Sequence, residues 1–364
     1  MEILLAFVGA ALGGKEPILP RETDIDWDGL MKLAHAQGLL ALVWDGICRL
    51  PEDRKPARCY RISWGMSVQD IWDRYDRQKA VLGEMVSVCS QNDMRLLLLK
   101  GIGLSEAYPN PRSRASGDLD IYLFGDFEKG NRLFGDGVNR FYKKHASFAY
   151  KGVDVENHKT PLDVETRHER AVGSYLKSHL EEACVSPMGY YTFCPLSNLI
   201  YLMMHTLHHI TPRNFIPLRY CLDIAVFVDA HREQLPPQQC HEVLSQFGLD
   251  RPFALFVGIG DRAFGIGLED YRSDILRQKD LPHIKEYVLT ATPRLAVGGD
   301  GNCVKQFLRK WRQVRGVYRY LPQNKELIAW EIARYNLSVW LKAKLEIPDG
   351  VPFWKGVWSR ICRK

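Results

Sequence analysis

Four consecutive leucines, Leu96–Leu99, constrain the fold of this chain more than any other feature. The run is short, and the turn-forming residues Asp93 and Gly101 bound it. A short, continuous apolar run between such residues is typical of a strand that is buried on both faces. The sequence therefore predicts a strand at Arg95–Lys100, inside a sheet that is covered on both sides.

Helical periodicity precedes this strand. Trp27–Leu50 and Ser67–Ser90 carry apolar residues at helical spacing, with a break near Gly38. A helical turn or two is expected at Gly101–Tyr108. Further strands are predicted at Asp118–Phe124, Ala146–Val155 and Leu162–Arg167, with a polar turn at Glu156–Thr160. Helices are predicted again from about Ser174 onward, at Leu196–Ile210, Leu218–His231, Cys240–Phe247, Pro252–Phe264 and Asn324–Leu345.

This order of elements predicts an α+β fold, in which a small mixed sheet is flanked by helices and followed by a larger, mainly helical C-terminal part. The length of 364 residues is about twice that of a usual single domain. We expect an N-terminal helical segment at residues 1–91, a sheet-containing core at 92–173 and a helical C-terminal domain at 174–364.

The predicted strand after residue 117 carries Asp118 and Asp120. Side chains two apart on a strand point to the same face, so these carboxylates lie side by side and repel each other. A divalent cation compensates such a pair, and oxygen ligands suit Mg²⁺ or Mn²⁺ with positions left for substrate phosphates. The alternative is a solvated strand edge on which the pattern is accidental.

Three neighbouring features favour the metal hypothesis. The turn at Lys100-Gly101 joins a strand to a helix, where free backbone N–H groups bind anions. Arg114 stands just before the aspartates, and a guanidinium can hold phosphate with two hydrogen bonds. Asp163 and Glu165 share one face of the next predicted acidic strand.

The segment Leu99-Lys-Gly-Ile-Gly, together with Tyr108-Pro-Asn-Pro-Arg-Ser-Arg-Ala-Ser-Gly-Asp-Leu-Asp-Ile-Tyr122, resembles the nucleotidyltransferase superfamily with the polymerase-beta-type fold. More narrowly, it resembles the uncharacterised nucleotidyltransferases, and it is similar to the nucleotidyltransferase toxins of abortive-infection systems. The resemblance covers roughly residues 95–170.

The resemblance implies a role for each matching residue. Asp118, Asp120 and Glu165 would be the catalytic metal ligands, with Asp163 as the alternate for Glu165. The nucleotide would be bound by Lys100, Gly101, Arg114, Ser116 and Gly117. We also expect contacts to the acceptor or nucleotide from Arg167, His168, His205 and His209, although these histidines can equally be packing residues of a helix.

The implied reaction is attack of an acceptor hydroxyl on the α-phosphorus of a nucleoside triphosphate, with pyrophosphate leaving. The acceptor is an RNA 3′ end, a protein or a small molecule. Motifs of P-loop enzymes and protein kinases do not occur in the sequence. Two alternatives remain open: a catalytically silent nucleotide- or partner-binding module, and the toxin component of a toxin–antitoxin pair, whose partner would be a protein.

The net charge of +6 is unevenly distributed, because bases concentrate between Lys305 and Lys325 and are interleaved there with aromatic residues. This composition suits RNA or a nucleotide-bearing acceptor, whereas a solvated helix face is the plainer interpretation and membrane-surface association is the least favoured. Nine cysteines without a CxxC motif are typical of reduced thiols in a cytoplasm. No apolar run in the sequence is long enough to cross a bilayer.

Overall fold

A computed structural model describes residues 1–19, 24–135, 140–141, 145–162, 167–213 and 217–271. All of these residues lie in one compact unit, Met1–Pro293. The basic stretch 305–325 and the predicted helix at 324–345 fall outside the described residues. The predicted domain boundaries stay predictions.

The N-terminal part is helical, as predicted. It contains α1 (Glu2–Gly13), α2 (Trp27–Ala36), α3 (Leu40–Cys48) and the long α4 (Arg58–Gln91). The break between α2 and α3 falls at Gly38, whose φ of 70° is a conformation that glycine adopts without strain. Among the described residues, no helix combines the length and the apolarity needed to cross a membrane.

The sheet of the described unit is mixed and has seven strands. They are β1 (Leu97–Leu98), β2 (Leu119–Tyr122), β3 (Arg140–Phe141), β4 (His145–Tyr150), β5 (Val153–His158), β6 (Cys184–Val185) and β7 (Tyr191–Thr192). Their spatial order is β3-β4-β5-β2-β1-β7-β6. The central strand β2 pairs antiparallel with β1 and parallel with β5. This arrangement confirms the predicted α+β class.

Two short helices accompany the strands, α5 (Ile102–Ser105) and α6 (Phe127–Phe134). The later helices are α7 (Arg167–Ser178), α8 (Pro195–Arg213), α9 (Leu218–Ala230), α10 (Pro237–Gln246) and α11 (Asp250–Phe264). The central strands are covered by the apolar face of α4, since Leu82 and Met85 pack in one cluster with Leu98, Ile121 and Val155. The four-leucine run is buried on both faces, as predicted.

The prediction was wrong about the hairpin that follows. The single strand expected at Ala146–Val155 is two strands, which are joined at Lys151 and Gly152 with φ of 49° and 76°. The first three residues of the turn predicted at Glu156–Thr160 instead form the second half of β5. Its polar residue Asn157 is fully buried and donates hydrogen bonds to the Phe127 carbonyl at 3.0 Å and to Asn131 Oδ1 at 2.9 Å. An inward polar side chain with these partners is compatible with a strand.

Gly46 marks the closest approach of α1 and α3. A Cβ added there would lie 2.2 Å from the backbone oxygen of Phe7, and a backbone atom cannot move aside easily. We expect Gly46→Ala to lower the free energy of unfolding by about 1–3 kcal/mol, the usual effect of overpacking. Urea unfolding at pH 7 measures this change.

Gly65 on α4 provides the matched control. A Cβ there meets only the Trp44 ring, at 3.7 Å, which is an ordinary contact. Gly65→Ala should raise the free energy of unfolding by up to about 1 kcal/mol, because alanine is the better helix former. Equal stability of the two variants would contradict the close packing of α1 on α3.

Candidate active site

The turn at Lys100 and Gly101 links β1 to α5. Gly101 has φ 73° and ψ −116°, and a Cβ added there would lie 3.2 Å from Ser116 Oγ and 3.3 Å from the Asp118 carbonyl oxygen. Both the backbone angles and the close approach therefore require glycine. The turn lies directly against residues 116–118.

The two aspartates lie beside the lysine of this turn. Lys100 Nζ is 2.9 Å from Asp120 Oδ2 and 3.9 Å from Asp118 Oδ1. The Asp120 side chain is 1% exposed and that of Asp118 is 36% exposed. The main chain holds this geometry, because the Leu99 N–H donates to the Asp120 carbonyl at 3.0 Å. A buried and a half-buried carboxylate thus share one ammonium group.

The parallel strand β5 adds a third carboxylate and an imidazole. Asp120 pairs in register with Glu156, and His158 Nε2 lies 3.0 Å from Asp120 Oδ1 and 3.6 Å from Glu156 Oε2. One ligand atom from each of these three residues lies within 4.8 Å of the others. We did not predict Glu156 or His158 as site residues. The alternation of buried Val153 and Val155 with polar neighbours was the signal that could have indicated them.

A second histidine extends the cluster onto β4. His145 pairs across the strands with His158, and the two ring centroids are 5.3 Å apart. His145 Nε2 lies 3.5 Å from Glu156 Oε1. Glu156 is therefore flanked by an imidazole on each side, on the same sheet face as Asp120.

Burial and charge act differently on the three carboxylates. Burial raises the pKa of Asp120, but its hydrogen bond to His158 and the charge of Lys100 outweigh burial and bring that pKa to about 2. Burial and then the charge of Asp120 raise the pKa of Asp118. The pKa of Glu156 is raised by burial and by both aspartates. The pKa of Lys100 is raised, because Asp120 and Asp118 outweigh the effect of burial.

The residues present fit a divalent cation. Asp120 and Glu156 offer carboxylate oxygens, which Mg²⁺ and Mn²⁺ prefer, and His158 offers a nitrogen that Mn²⁺ accepts more readily than Mg²⁺. The Asp118 carboxylate lies beside them, with Oδ1 3.9 Å from the Lys100 Nζ that also contacts Asp120. Burial, and after it the charge of the neighbouring carboxylates, raises the pKa of Asp118 and of Glu156, so added positive charge beside them is favourable. Both the donor atoms and the negative charge of the cluster therefore favour the binding of a divalent cation.

Two other predicted nucleotide-binding residues lie beside the turn. Ser116 Oγ is buried and has no hydrogen-bond partner among the described residues. The carbonyl of Gly117 accepts a hydrogen bond from Gln78 Nε2 of α4 at 2.7 Å. The loop that leads into the aspartates is thus fixed from the helical side, and it carries one buried hydroxyl without a hydrogen-bond partner among the described residues.

Arg114 is placed differently from the prediction. We expected its guanidinium to face phosphates, but the side chain is 8% exposed and makes two hydrogen bonds to Asp223, from Nε at 2.9 Å and from Nη2 at 3.0 Å. Asp223 and Arg219 are four residues apart on α9, a spacing that is typical of an ion pair along a helix. Asp223 instead holds Arg114, while Arg219 donates to the Ala115 carbonyl at 3.3 Å.

Of the remaining predicted site residues, only the side chain of His205 lies in the part of the chain that the structure describes. Asp163 and Glu165 lie outside the described residues, as do the side chains of Arg167, His168 and His209. His205 lies on α8, where its ring stacks on Tyr201 with centroids 6.2 Å apart. The roles expected for all of these residues stay predictions.

A mixed sheet that presents an Asp-x-Asp pair, a third carboxylate and a Lys-Gly turn is compatible with the expected nucleotidyltransferase class. Residues 23–265 match the family described as uncharacterised nucleotidyltransferase. The chain belongs to this family and is a nucleotidyltransferase. No curated protein and no solved structure matches the chain.

Neutralising Asp118 and neutralising Asp120 should change the free energy of unfolding in opposite directions. Asp118→Asn should stabilise the metal-free protein at neutral pH, because the folded state raises the pKa of Asp118 and so disfavours its charge. Asp120→Asn should destabilise the metal-free protein by about 3 kcal/mol, because it leaves Lys100 without its closest counter-charge. Urea unfolding in EDTA measures both changes.

The contributions of Asp120 and Asp118 to the free energy of unfolding also depend on pH with opposite signs. The stabilisation by Asp120 is complete above its unfolded pKa of 3.8 and is lost as pH falls toward its folded pKa of about 2. The gain from Asp118→Asn is largest at neutral pH and disappears as pH falls below the unfolded pKa of 3.8. A change of the same sign in both variants at pH 7 would refute this charge balance.

Proposed function

We propose that the protein binds a nucleoside triphosphate together with Mg²⁺ or Mn²⁺ and transfers the nucleoside monophosphate to a hydroxyl-bearing acceptor. The observation that carries this proposal is the juxtaposition of Asp118, Asp120 and Glu156 on two paired strands beside the Lys100 ammonium. Clustered carboxylates next to a lysine suit a substrate that arrives as a polyphosphate with its counter-ion.

Each residue of the cluster has a task in this reaction. Asp118, Asp120 and Glu156 hold the divalent cation, which when bound neutralises charge on the reacting phosphates. Lys100, which already reaches toward both aspartates, turns to phosphate oxygens. His158 orients the Asp120 carboxylate through its 3.0 Å contact. Positioning and charge neutralisation thus provide the acceleration.

The bond changes involve no protein nucleophile. The acceptor oxygen forms a bond to the α-phosphorus, the bond from that phosphorus to the bridging oxygen breaks, and pyrophosphate leaves with the electron pair. The hydroxyl proton passes to a carboxylate of the cluster or to solvent. The acceptor, whether RNA, a protein or a small molecule, must present a free hydroxyl to this face of the sheet.

We assign the third carboxylate to Glu156, where the family resemblance points to Glu165. Glu156 is supported by its register with Asp120 and by the shared reach of their ligand atoms. Glu165 follows β5 by a few residues, and its assignment depends on the resemblance alone. The two glutamates can be separated by mutation.

The proposed reaction is tested by incubating the protein with each α-³²P-labelled nucleoside triphosphate, Mg²⁺ or Mn²⁺, and cell extract. We expect label to be transferred by the wild type and reduced at least 100-fold by Asp120→Asn, because a buried metal ligand is lost. Asp154→Asn is the matched control, since Asp154 is an exposed acid on the same face of β5. Equal transfer by wild type and Asp120→Asn would exclude the proposed site, and no transfer by the wild type would favour a binding module.

The same assay decides the third acid. Glu156→Gln should reduce transfer at least 100-fold and weaken Mn²⁺ binding, measured by electron paramagnetic resonance, because Glu156 shares its ligand position with Asp120. Glu165→Gln should leave Mn²⁺ binding within about twofold of the wild type. The reverse pattern would transfer the assignment to Glu165.

A further inference from the structure

Asp223 lies on α9, far along the chain from the catalytic turn, and is nevertheless bonded to its supporting residues. Its side chain is 5% exposed. Besides the two hydrogen bonds from Arg114, it accepts one from the Tyr108 hydroxyl at 2.6 Å. A buried carboxylate with three donors is held in a single orientation.

Arg114 passes this constraint to the turn. Its third donor, Nη1, donates to the carbonyl oxygen of Gly101 at 3.0 Å. A guanidinium is planar, so fixing two of its nitrogens on Asp223 also fixes the direction of the third. Asp223 of α9 therefore fixes the direction of the bond from Arg114 to the Gly101 carbonyl, through the planar guanidinium.

The direction of the Gly101 carbonyl determines the orientation of the peptide between Gly101 and Ile102. The C=O of Gly101 and the N–H of Ile102 belong to one planar trans peptide and point in opposite directions. A carbonyl held by Arg114 thus directs the Ile102 N–H away from Asp223. The same carbonyl accepts the Leu104 N–H at 3.2 Å, so Arg114 and the first turn of α5 together hold the Gly101–Ile102 peptide.

We propose that Asp223 is a positioning residue for the phosphate-binding turn and acts through Arg114. This inference depends on the proposed function, since it assigns the turn to the triphosphate. Asp223 touches neither Lys100 nor the carboxylate cluster in the contacts described above. Its effect is therefore on triphosphate affinity, and the metal ligands should be left intact.

The metal ligands have their own support. Asp120 is held by the main-chain bond from the Leu99 N–H and by its register with Glu156 on β5. Arg114 contributes to neither of these contacts. Loss of the Asp223 carboxylate should consequently weaken triphosphate binding and leave metal binding intact. A general loss of structure would weaken both.

The test uses the full chain and two probes, Mn²⁺ alone and a non-hydrolysable nucleoside triphosphate analogue with Mn²⁺. Asp223→Asn and Arg114→Lys should each weaken analogue binding at least tenfold, while the Kd for Mn²⁺ alone stays within twofold of the wild type. In the transfer assay the KM for nucleotide should rise more than kcat falls. Arg114→Lys keeps the buried charge pair, so it remains informative if Asp223→Asn fails to fold.

Tyr108→Phe is the control for stability. The Tyr108 hydroxyl bonds the same carboxylate and is equally buried, but it makes no contact with the Gly101 carbonyl. This variant should unfold at a lower temperature and retain analogue binding within twofold. If Arg114→Lys binds the analogue as tightly as the wild type, the network is only structural and the proposal is overturned. Failure of the wild type to bind either probe would instead overturn the proposed function.

Discussion

The parallel pairing of β2 with β5 is the contact on which the site depends. Residues paired in register on adjacent strands share a face, so the pairing of Asp120 with Glu156 places two carboxylates side by side. The next polar residue on that face of β5 is His158, which reaches Asp120 Oδ1. A shift of one residue in this register would turn Glu156 and His158 to the opposite face and dismantle the cluster.

This pairing concentrates negative charge that the rest of the fold must balance. Lys100 reaches both aspartates because the Gly101 turn folds back against residues 116–118. The compensation is incomplete, since the pKa values of Asp118 and Glu156 remain raised while that of Asp120 is low. An incompletely neutralised cluster is less stable by itself than a fully paired one, but it has a stronger attraction for a cation.

Local patterns in the sequence predicted half of this site. The continuous apolar run Leu96–Leu99 indicated β1, and the spacing of Asp118 and Asp120 indicated a shared face, because side chains alternate along a strand with a period of two. Glu156 and His158 were missed, since their polar segment is typical of a turn. The strand continues there because Asn157 forms hydrogen bonds with Phe127 and Asn131 of α6. Such a non-local contact cannot be predicted from the local sequence pattern.

The role of Arg114 is a second feature that the local sequence could not predict. A guanidinium binds carboxylate and phosphate with the same planar pair of donors, so its residue type does not distinguish a buried ion pair from a substrate contact. What decided between them is Asp223, which is 109 residues away in the chain. An unpaired guanidinium at this depth would be strongly destabilising, so burial favours the carboxylate partner over a ligand that comes and goes.

The Arg114–Asp223 pair also bears on how the chain is divided. The family match runs from residue 23 to 265 and therefore includes α9 and α11 together with the sheet. Tyr108 and Arg114 lie before the predicted boundary at residue 173, whereas Asp223 lies after it, and their hydrogen bonds are buried. A helix that is bonded to the catalytic turn by a buried ion pair cannot move independently of it without exposing unpaired charge. The position of α9 is thus coupled to the geometry of the Lys100-Gly101 turn through Asp223 and Arg114.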